Sequence, residues 1–384
     1  MLEILFLLLP LAFYSGWRAA TKPSKTKQTP EQPNSVNERF VQGINYLLNE
    51  EPDKALDVFL KYPDVDEQTA NTFLLLGNSF RNRGEVNRAL RVHQNLIARP
   101  TISKAQRVNA MLALGEDFFA AGLLDRAESV FTEILKDDPK QIAACEPLRE
   151  IYEKLHEWDK AIEITQCVQQ QGQTDHSRLI AHYYCELAAQ ALNNNNLFEA
   201  DANLKAAEKI YPQSSRVKVL KADLAYSQRQ TETALALYEQ AIRQDSRLLG
   251  MLFKQLLNQY PELTQRQALF EFTQALYQQN REPRVFMYLL QLAQLVGQVP
   301  TIQPLVTEHL QKGQMTLNTA AYSSDILANH WQQTQVCDIA DLQMGLHRLA
   351  KSQPEFQCTH CGYKMQDYLW RCPACHRWDT VSAV

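Results

Sequence analysis

Phe73–Ala89 reads FLLLGNSFRNRGEVNRA, and 38 residues further on Met111–Ala127 reads MLALGEDFFAAGLLDRA. Both stretches carry glycine at the fifth position, phenylalanine at the eighth, glycine at the twelfth and alanine at the seventeenth. The apolar residues before the second glycine fall three and four apart, as one face of a helix requires, and that glycine marks a turn. Each stretch therefore reads as a helix, a turn and the start of a second helix. Working outward, a small residue followed four positions later by a larger one recurs as Ala55/Phe59, Ala89/His93, Ala127/Phe131, Ala161/Thr165, Ala200/Leu204 and Ala234/Tyr238. The intervals are 34, 38, 34, 39 and 34 residues. A repeat of that length predicts stacked helical hairpins, each burying its core against its neighbours.

Twelve positions before these alanines stand Gly43, Gly77, Gly115, Arg149, Ala188 and Ala222, mostly small, and Pro100, Pro139 and Pro212 close second helices. The pattern resembles tetratricopeptide repeats, with small residues where helices meet and larger ones filling the gaps. Repeats are expected over 36–246. Residues 247–352 stay helical in pattern, as in MLFKQLLNQY (251–260) and VFMYLLQLAQLVGQ (285–298), with breaks at Pro261, Pro283, Gly297–Pro300 and Gly313. Two or three more hairpins are expected there, the last helix, about Val336–Leu349, leading into the C-terminal segment and packing on it. Its Cys337 and His347 lie ten apart, off one helical face, and make no second metal site.

That segment, 353–384, holds Cys358-Thr-His-Cys361 and, after a ten-residue loop, Cys372-Pro-Ala-Cys375. Two such pairs place four thiolates around one ion, an arrangement that suits zinc or a single iron. Gly362 supplies the positive φ that the first knuckle needs, and Pro373 stiffens the second. Two disulfides would require an oxidising compartment, and a redox motif a βαβ context; the rest of the chain argues against both. His360 and His376 sit beside the cysteines, but four sulfurs complete the shell. So short a fragment cannot bury its own core, so metal must supply much of its folding free energy. Phe356, Tyr363, Tyr368, Trp370 and Trp378 are expected to form a satellite core and a docking face. The run Cys-x-x-Cys-Gly-Tyr with Cys-Pro-x-Cys resembles a rubredoxin metal site with its central insert cut down.

At the other end, Leu2–Trp17 is an apolar run with one acid, followed by Arg18, Lys22, Lys25 and Lys27. It just suffices to span a membrane when Ala19, Ala20 and a snorkelling Arg18 extend it. Charges follow rather than precede the run, which argues against a secretory signal and places the N-terminus outside and the bulk in the cytoplasm. Residues 1–20 are read as a transmembrane anchor and 21–35, rich in Lys, Thr, Pro, Ser and Gln, as a flexible tether.

Of 384 residues, 45% are apolar and only 12 are glycine, which suits helix; a net charge of −4 gives no overall nucleic-acid footprint. Cys145, Cys167, Cys185 and Cys337 read as small buried hydrophobes in a reducing compartment. No phosphate-cradling loop, dinucleotide fingerprint, H-E-x-x-H or G-x-S-x-G occurs, and His182 with Glu186 reads as a surface pair on a helix. The chain is therefore read as a non-enzyme, all-α: a tetratricopeptide-repeat solenoid with an N-terminal transmembrane helix and a small C-terminal rubredoxin-like metal-binding ribbon.

The whole order resembles the bacterial lipopolysaccharide assembly protein B family. Its specific points are MLEILFLLLP (1–10), Leu76–Val86 running into Arg88–Gln94, Ala181–Ala188 and the ribbon. The resemblance implies an inner-membrane adaptor that restrains lipopolysaccharide synthesis, bringing the deacetylase that commits precursors to lipid A to a membrane-bound AAA+ protease. A further inner-membrane protein that senses lipopolysaccharide opposes such adaptors. By the same resemblance Cys358, Cys361, Cys372 and Cys375 hold the family's one metal ion, iron or zinc. No nucleic acid is expected as partner, and the oligomeric state, homo-oligomer included, stays open. Two rival classes are a nucleic-acid binder using Lys364, Arg371 and Arg377 beside Trp370 and Trp378, and an electron carrier using iron.

Overall fold

The computed structural model describes residues 41–46, 49, 51–61, 67–172, 174–312, 316–333 and 340–384. The anchor and tether expected at 1–20 and 21–35 lie outside the described residues, and no described helix is long and apolar enough to cross a membrane. The chain divides into two compact units, Met1–Ile151 and Tyr152–Val384.

In the first unit a helical segment at 41–46 is followed by α1 (Pro52–Leu60), α2 (Glu67–Asn82), α3 (Val86–Ile97), α4 (Lys104–Ala120), α5 (Leu124–Asp137) and most of α6 (Ile142–Leu155). The repeat spacing has a direct physical origin. A Cβ added at Gly43 would stand 2.8 Å from the Phe59 ring, one at Gly77 2.2 Å from His93 and one at Gly115 2.6 Å from Phe131. Each small residue is thus the floor on which the large residue of the following helix rests. Ala55, Ala89 and Ala127 are fully buried in these hairpins, and Ala161, Ala200 and Ala234 are equally buried in the second unit. Gly84 (φ 80°) and Gly122 (φ 73°) take the left-handed turn position between helices; His156 (φ 57°), Asn195 (φ 56°) and Arg229 (φ 63°) take it in later repeats. Ser103 and Gln106 form a reciprocal capping box that fixes the start of α4.

The second unit continues with α7 (Trp158–Gln171), α8 (Ser177–Asn193), α9 (Leu197–Ile210), α10 (Ser215–Ser227) and α11 (Thr231–Gln244). Six more helices follow: α12 (Leu248–Gln259), α13 (Leu263–Asn280), α14 (Pro283–Val296), α15 (Val299–Lys312), α16 (Leu317–Gln333) and α17 (Ala340–Ser352), with α13 packed mainly on α14 and α16 on α17. The prolines act as expected, with α3 ending before Pro100, α5 before Pro139, α9 before Pro212 and α14 beginning on Pro283. Helix α17 packs chiefly against α16 rather than on the C-terminal segment. Positions 336–339, assigned to it from sequence, lie outside the described residues.

After α17 come three short antiparallel strands, β1 (Phe356–Cys358), β2 (Lys364–Met365) and β3 (Val381–Ala383), in the order β2-β1-β3. Phe356 pairs with Met365 on one side and Ala383 on the other, and Cys358 with Val381. Phe356, Tyr368 and Val381 are buried in the same apolar cluster as Leu252, Leu289 and Ile326 of the helices. The ribbon has no separate core; its apolar side is part of the helical one.

Candidate metal centre

The ribbon's two cysteine pairs build two knuckles of the same design. Cys358 N–H donates to the Tyr363 carbonyl and Gly362 N–H to that of Cys358, both at 2.9 Å; Cys372 N–H donates to Arg377 and His376 N–H to Cys372, again at 2.9 Å. Gly362 (φ 75°) and His376 (φ 57°) hold the same left-handed position. The second knuckle thus uses a histidine where the first uses glycine, which fixes His376 as a backbone element of the turn. The N–H groups of Tyr363 and Arg377 point at the sulfurs of Cys361 and Cys375.

The four sulfurs lie within 4.8 Å of one another, with Cys358 to Cys375 and Cys361 to Cys372 at 3.7 Å. A tetrahedral ion with sulfur at about 2.3 Å requires S···S edges of about 3.8 Å, so the donor set fits one metal ion of zinc or iron size. Electrostatics lead the same way. Burial alone would raise the Cys358 thiol, but hydrogen bonds from Thr380 and the N–H groups of Cys361 and His360 bring it to about 6. Cys375, despite the N–H of Arg377, is pushed up to about 12 by burial and by its three neighbouring cysteines. One thiolate forms readily and the last resists, because four negative sulfurs at this spacing need a cation between them.

The ribbon is seated on one face of the second unit by a series of ion pairs and ring contacts. Arg371 Nη2 reaches Glu153 Oε2 at 2.5 Å, and Tyr183 donates to the other oxygen of Glu153. Asp379 accepts from His182 Nε2 and Arg178, both at 2.6 Å. Arg216 can only donate, so its 3.5 Å contact makes His182 Nδ1 the acceptor and leaves the ring proton on Nε2 for Asp379. Burial holds the His182 imidazole below its ordinary value although Asp379 pulls the other way. Burial would raise Asp379, but its bonds to His182 and Arg178 take it below the ordinary carboxylate value.

Trp378 stacks on His182 with ring centroids 4.8 Å apart. Three arginines from successive hairpins then cover the ribbon's aromatics. Arg216 lies 5.4 Å from Trp378 and 5.9 Å from Trp370, Arg247 lies 5.6 Å from Tyr368, and Arg284 lies 4.5 Å from Phe356. Each such contact is worth about 0.5–2 kcal/mol, more when desolvated. Arg247 also donates to the Val381 carbonyl at 3.0 Å, pinning β3.

With this geometry in place, the comparisons with known proteins agree. Residues 356–383 match the rubredoxin metal binding domain family, and residues 74–142 the tetratricopeptide repeat family. Lipopolysaccharide assembly protein B of Escherichia coli (strain K12) is 30% identical over 385 residues, which cover 100% of this chain and 98% of that one. The chain belongs to the lipopolysaccharide assembly protein B family. The protein of that name from Haemophilus influenzae is 30% identical over 402 residues, again covering 100% of this chain and 98% of its own. A crystal structure of MamA protein is similar at 17% identity, covering 47% of this chain and 94% of that one, with a TM-score of 0.34.

In this lipopolysaccharide assembly protein B family chain, sequence reasoning missed the seat. His182 is buried rather than on the surface, and Glu186 pairs with Arg216 at 2.7 Å instead of with it. Arg371, Trp370 and Trp378, weighed from sequence as a nucleic-acid rim, contact the helices. Tyr363 is not in the docking face; it is 47% exposed, and its contribution is the backbone of the first knuckle. His347 pairs with Asp325 at 3.0 Å, while Cys337 lies outside the described residues. Cys145 and Cys185 are buried and Cys167 half-buried. Burial was the signal available for His182, since the tract around it, Ala181–Cys185, is nearly continuous in apolar residues.

Proposed function

We propose that this chain is an adaptor of the bacterial inner membrane that regulates lipopolysaccharide synthesis, presenting the lipid A-committing deacetylase to a membrane-bound AAA+ protease. A lipopolysaccharide-sensing inner-membrane protein opposes it. What carries the reading is the full-length likeness to Lipopolysaccharide assembly protein B. Residues 1–20 anchor the chain with its N-terminus periplasmic, 21–35 tether it, and the repeats of 36–246 with the hairpins of 247–352 work in the cytoplasm as a protein-binding scaffold rather than an enzyme.

The physical logic supports this division. Repeat hairpins present extended faces suited to protein segments. Confinement at a membrane raises the effective concentration of client and protease, so two weak contacts suffice. In 353–384, Cys358, Cys361, Cys372 and Cys375 hold one iron or zinc ion, which supplies the folding energy that three short strands lack. A closed four-sulfur shell leaves no open coordination position, so the ion is not expected to activate a substrate.

The test is the half-life of the deacetylase in cells with the protein, without it, and with a chain lacking 1–20. A longer half-life after either loss is the expected result. An unchanged half-life in both strains overturns the adaptor reading.

A further inference from the structure

Between α12, α14, α16, α17 and the ribbon lies a pocket of about 390 Å³, within the range of ligand-binding cavities and roomy enough for about a dozen waters. Its apolar wall is built by Met251, Phe253, Leu257, Met287 and Phe356. Tyr288 of α14 also lines it while only 9% exposed, and its hydroxyl has no hydrogen-bond partner among the described residues. A Cβ added at Gly250 would stand 2.9 Å from that oxygen, so the glycine keeps the space beside the hydroxyl open. Tyr322 of α16 presents a second hydroxyl, equally unbonded among the described residues, with its ring set edge-on against His347.

Two carboxylates join them, Glu355 just before β1 and Asp367 after β2, and neither side chain makes an ion pair or hydrogen bond among the described residues. Glu355 is half-buried. Burial raises its carboxyl above the ordinary value, outweighing the pull of Arg284, with Asp367 adding to the rise and Lys254 opposing it. Arg284 is engaged elsewhere, over the Phe356 ring at 4.5 Å and on the Val384 carbonyl at 3.4 Å. Lys254 and Lys351 also line the pocket, but both are exposed and neither comes within ion-pairing distance of either carboxylate. The half-buried charge therefore stands without a partner, beside aromatic rings and two phenolic oxygens that can accept.

We infer that this pocket binds the guanidinium of an arginine side chain from a partner protein segment, with Glu355 as its counter-charge and the Tyr288 and Tyr322 hydroxyls as further acceptors. The chemistry selects that group in three ways. Its planar fork carries five N–H donors and no acceptor, matching free groups in the lining that can accept. It is more weakly hydrated than an ammonium and stacks on aromatic faces such as those of Tyr288 and Tyr322. Its methylene stem can lie along Met251, Leu257 and Met287. Glu355, Phe356 and Asp367 belong to the ribbon segment, so the pocket is complete only when the ribbon is seated. The inference rests on the adaptor reading and adds the chemistry of one partner contact to it.

The experiment titrates the full chain, metal-loaded in detergent, with an end-blocked glycine-arginine-glycine tripeptide and reads binding by calorimetry. The citrulline tripeptide, similar in shape but uncharged, and the lysine tripeptide are the controls. Glu355→Gln and Tyr288→Phe are the variants, because neither removes a bond made within the described chain. Bound metal and helical dichroism are measured alongside to show that the ribbon stays seated. Expected are binding of the arginine peptide, a loss of about ten-fold in Glu355→Gln and about three-fold in Tyr288→Phe, and affinity about ten-fold lower for citrulline. Lys254→Ala, which removes a rival ammonium, is expected to leave binding equal or tighter. Absence of arginine-peptide binding, citrulline or lysine binding as tightly, unchanged affinity in both variants, or weaker binding in Lys254→Ala each overturns the inference. These readouts come from the purified chain and the deacetylase half-life from cells, so the two readings fail separately.

Discussion

Gly77 and Gly84 illustrate how one residue type serves two purposes within a single hairpin. Glycine inside a helix ordinarily costs about 0.5–1 kcal/mol relative to alanine. At Gly77 that preference reverses, because a Cβ would meet His93 at 2.2 Å, and His93 is held by Asp117 at 2.5 Å with both fully buried. Gly77→Ala is expected to destabilise the first unit by about 1–3 kcal/mol by overpacking, measured by urea unfolding. The opposite case is Arg229, a non-glycine at φ 63° in an exposed turn. Left-handed backbone costs such a residue about 1–2 kcal/mol, part of which glycine's freedom in the unfolded chain offsets. Arg229→Gly is therefore expected to stabilise by about 0.5–1 kcal/mol, read as a rise in Tm. His182 gives a pH prediction. Its imidazole is depressed below 6.5 by burial, with Asp379, Arg216 and Arg178 around it. A depressed group binds its proton more readily in the unfolded state, so stability is present above 6.5 and lost as pH falls below it. Unfolding midpoints should drop on acidification through that value in the native chain and flatten in His182→Gln.

At the scale of elements, long-range contacts seat the ribbon on helices of the second unit. Glu153 is 4% exposed in its side chain and Arg371 20%, so their pair lies mostly out of water. Arg371→Ala removes the cation from a buried carboxylate, and the expected cost is about 2–3 kcal/mol, below a fully buried pair because Arg371 keeps some exposure. Trp370 and Trp378 fluorescence should shift to the red at lower urea than the far-ultraviolet helical signal, since only the ribbon comes off the seat. These contacts were not legible in the sequence. Arg216, Arg247 and Arg284 stand near the starts of α10, α12 and α14 with nothing local to distinguish them from solvated arginines. What could be read was the other half, the ribbon's aromatics, because five of them in a fragment too short for a core must pack on something.

For the whole molecule, the four cysteines link metal to the ribbon and the ribbon to the helices. Cys358→Ser with Cys361→Ser removes two of four sulfurs and is expected to abolish metal binding, unseat β1 to β3 and leave the repeat hairpins folded. Metal analysis, tryptophan emission and helical dichroism check the three parts separately. Loss of helicity equal to that of the ribbon would show instead that the repeats depend on the metal. In cells the same variant is expected to lengthen the deacetylase half-life while the protein stays in the membrane fraction.

The sequence by itself determined the repeats and the grouping of the thiols, because both are local. A period of 34 to 39 residues records that each hairpin must fit the next, and two cysteine pairs, each with two residues between its members and only ten between the pairs, bring four thiols within reach of one ion. Only the tertiary structure decided where the ribbon sits and which charges hold it. Arg371 meets Glu153 across 218 positions, His182 meets Asp379 across 197 and Arg247 meets Val381 across 134. Pairings at that separation depend on how successive hairpins stack, and no periodicity within a hairpin encodes which side chain of one will face a strand that follows them all.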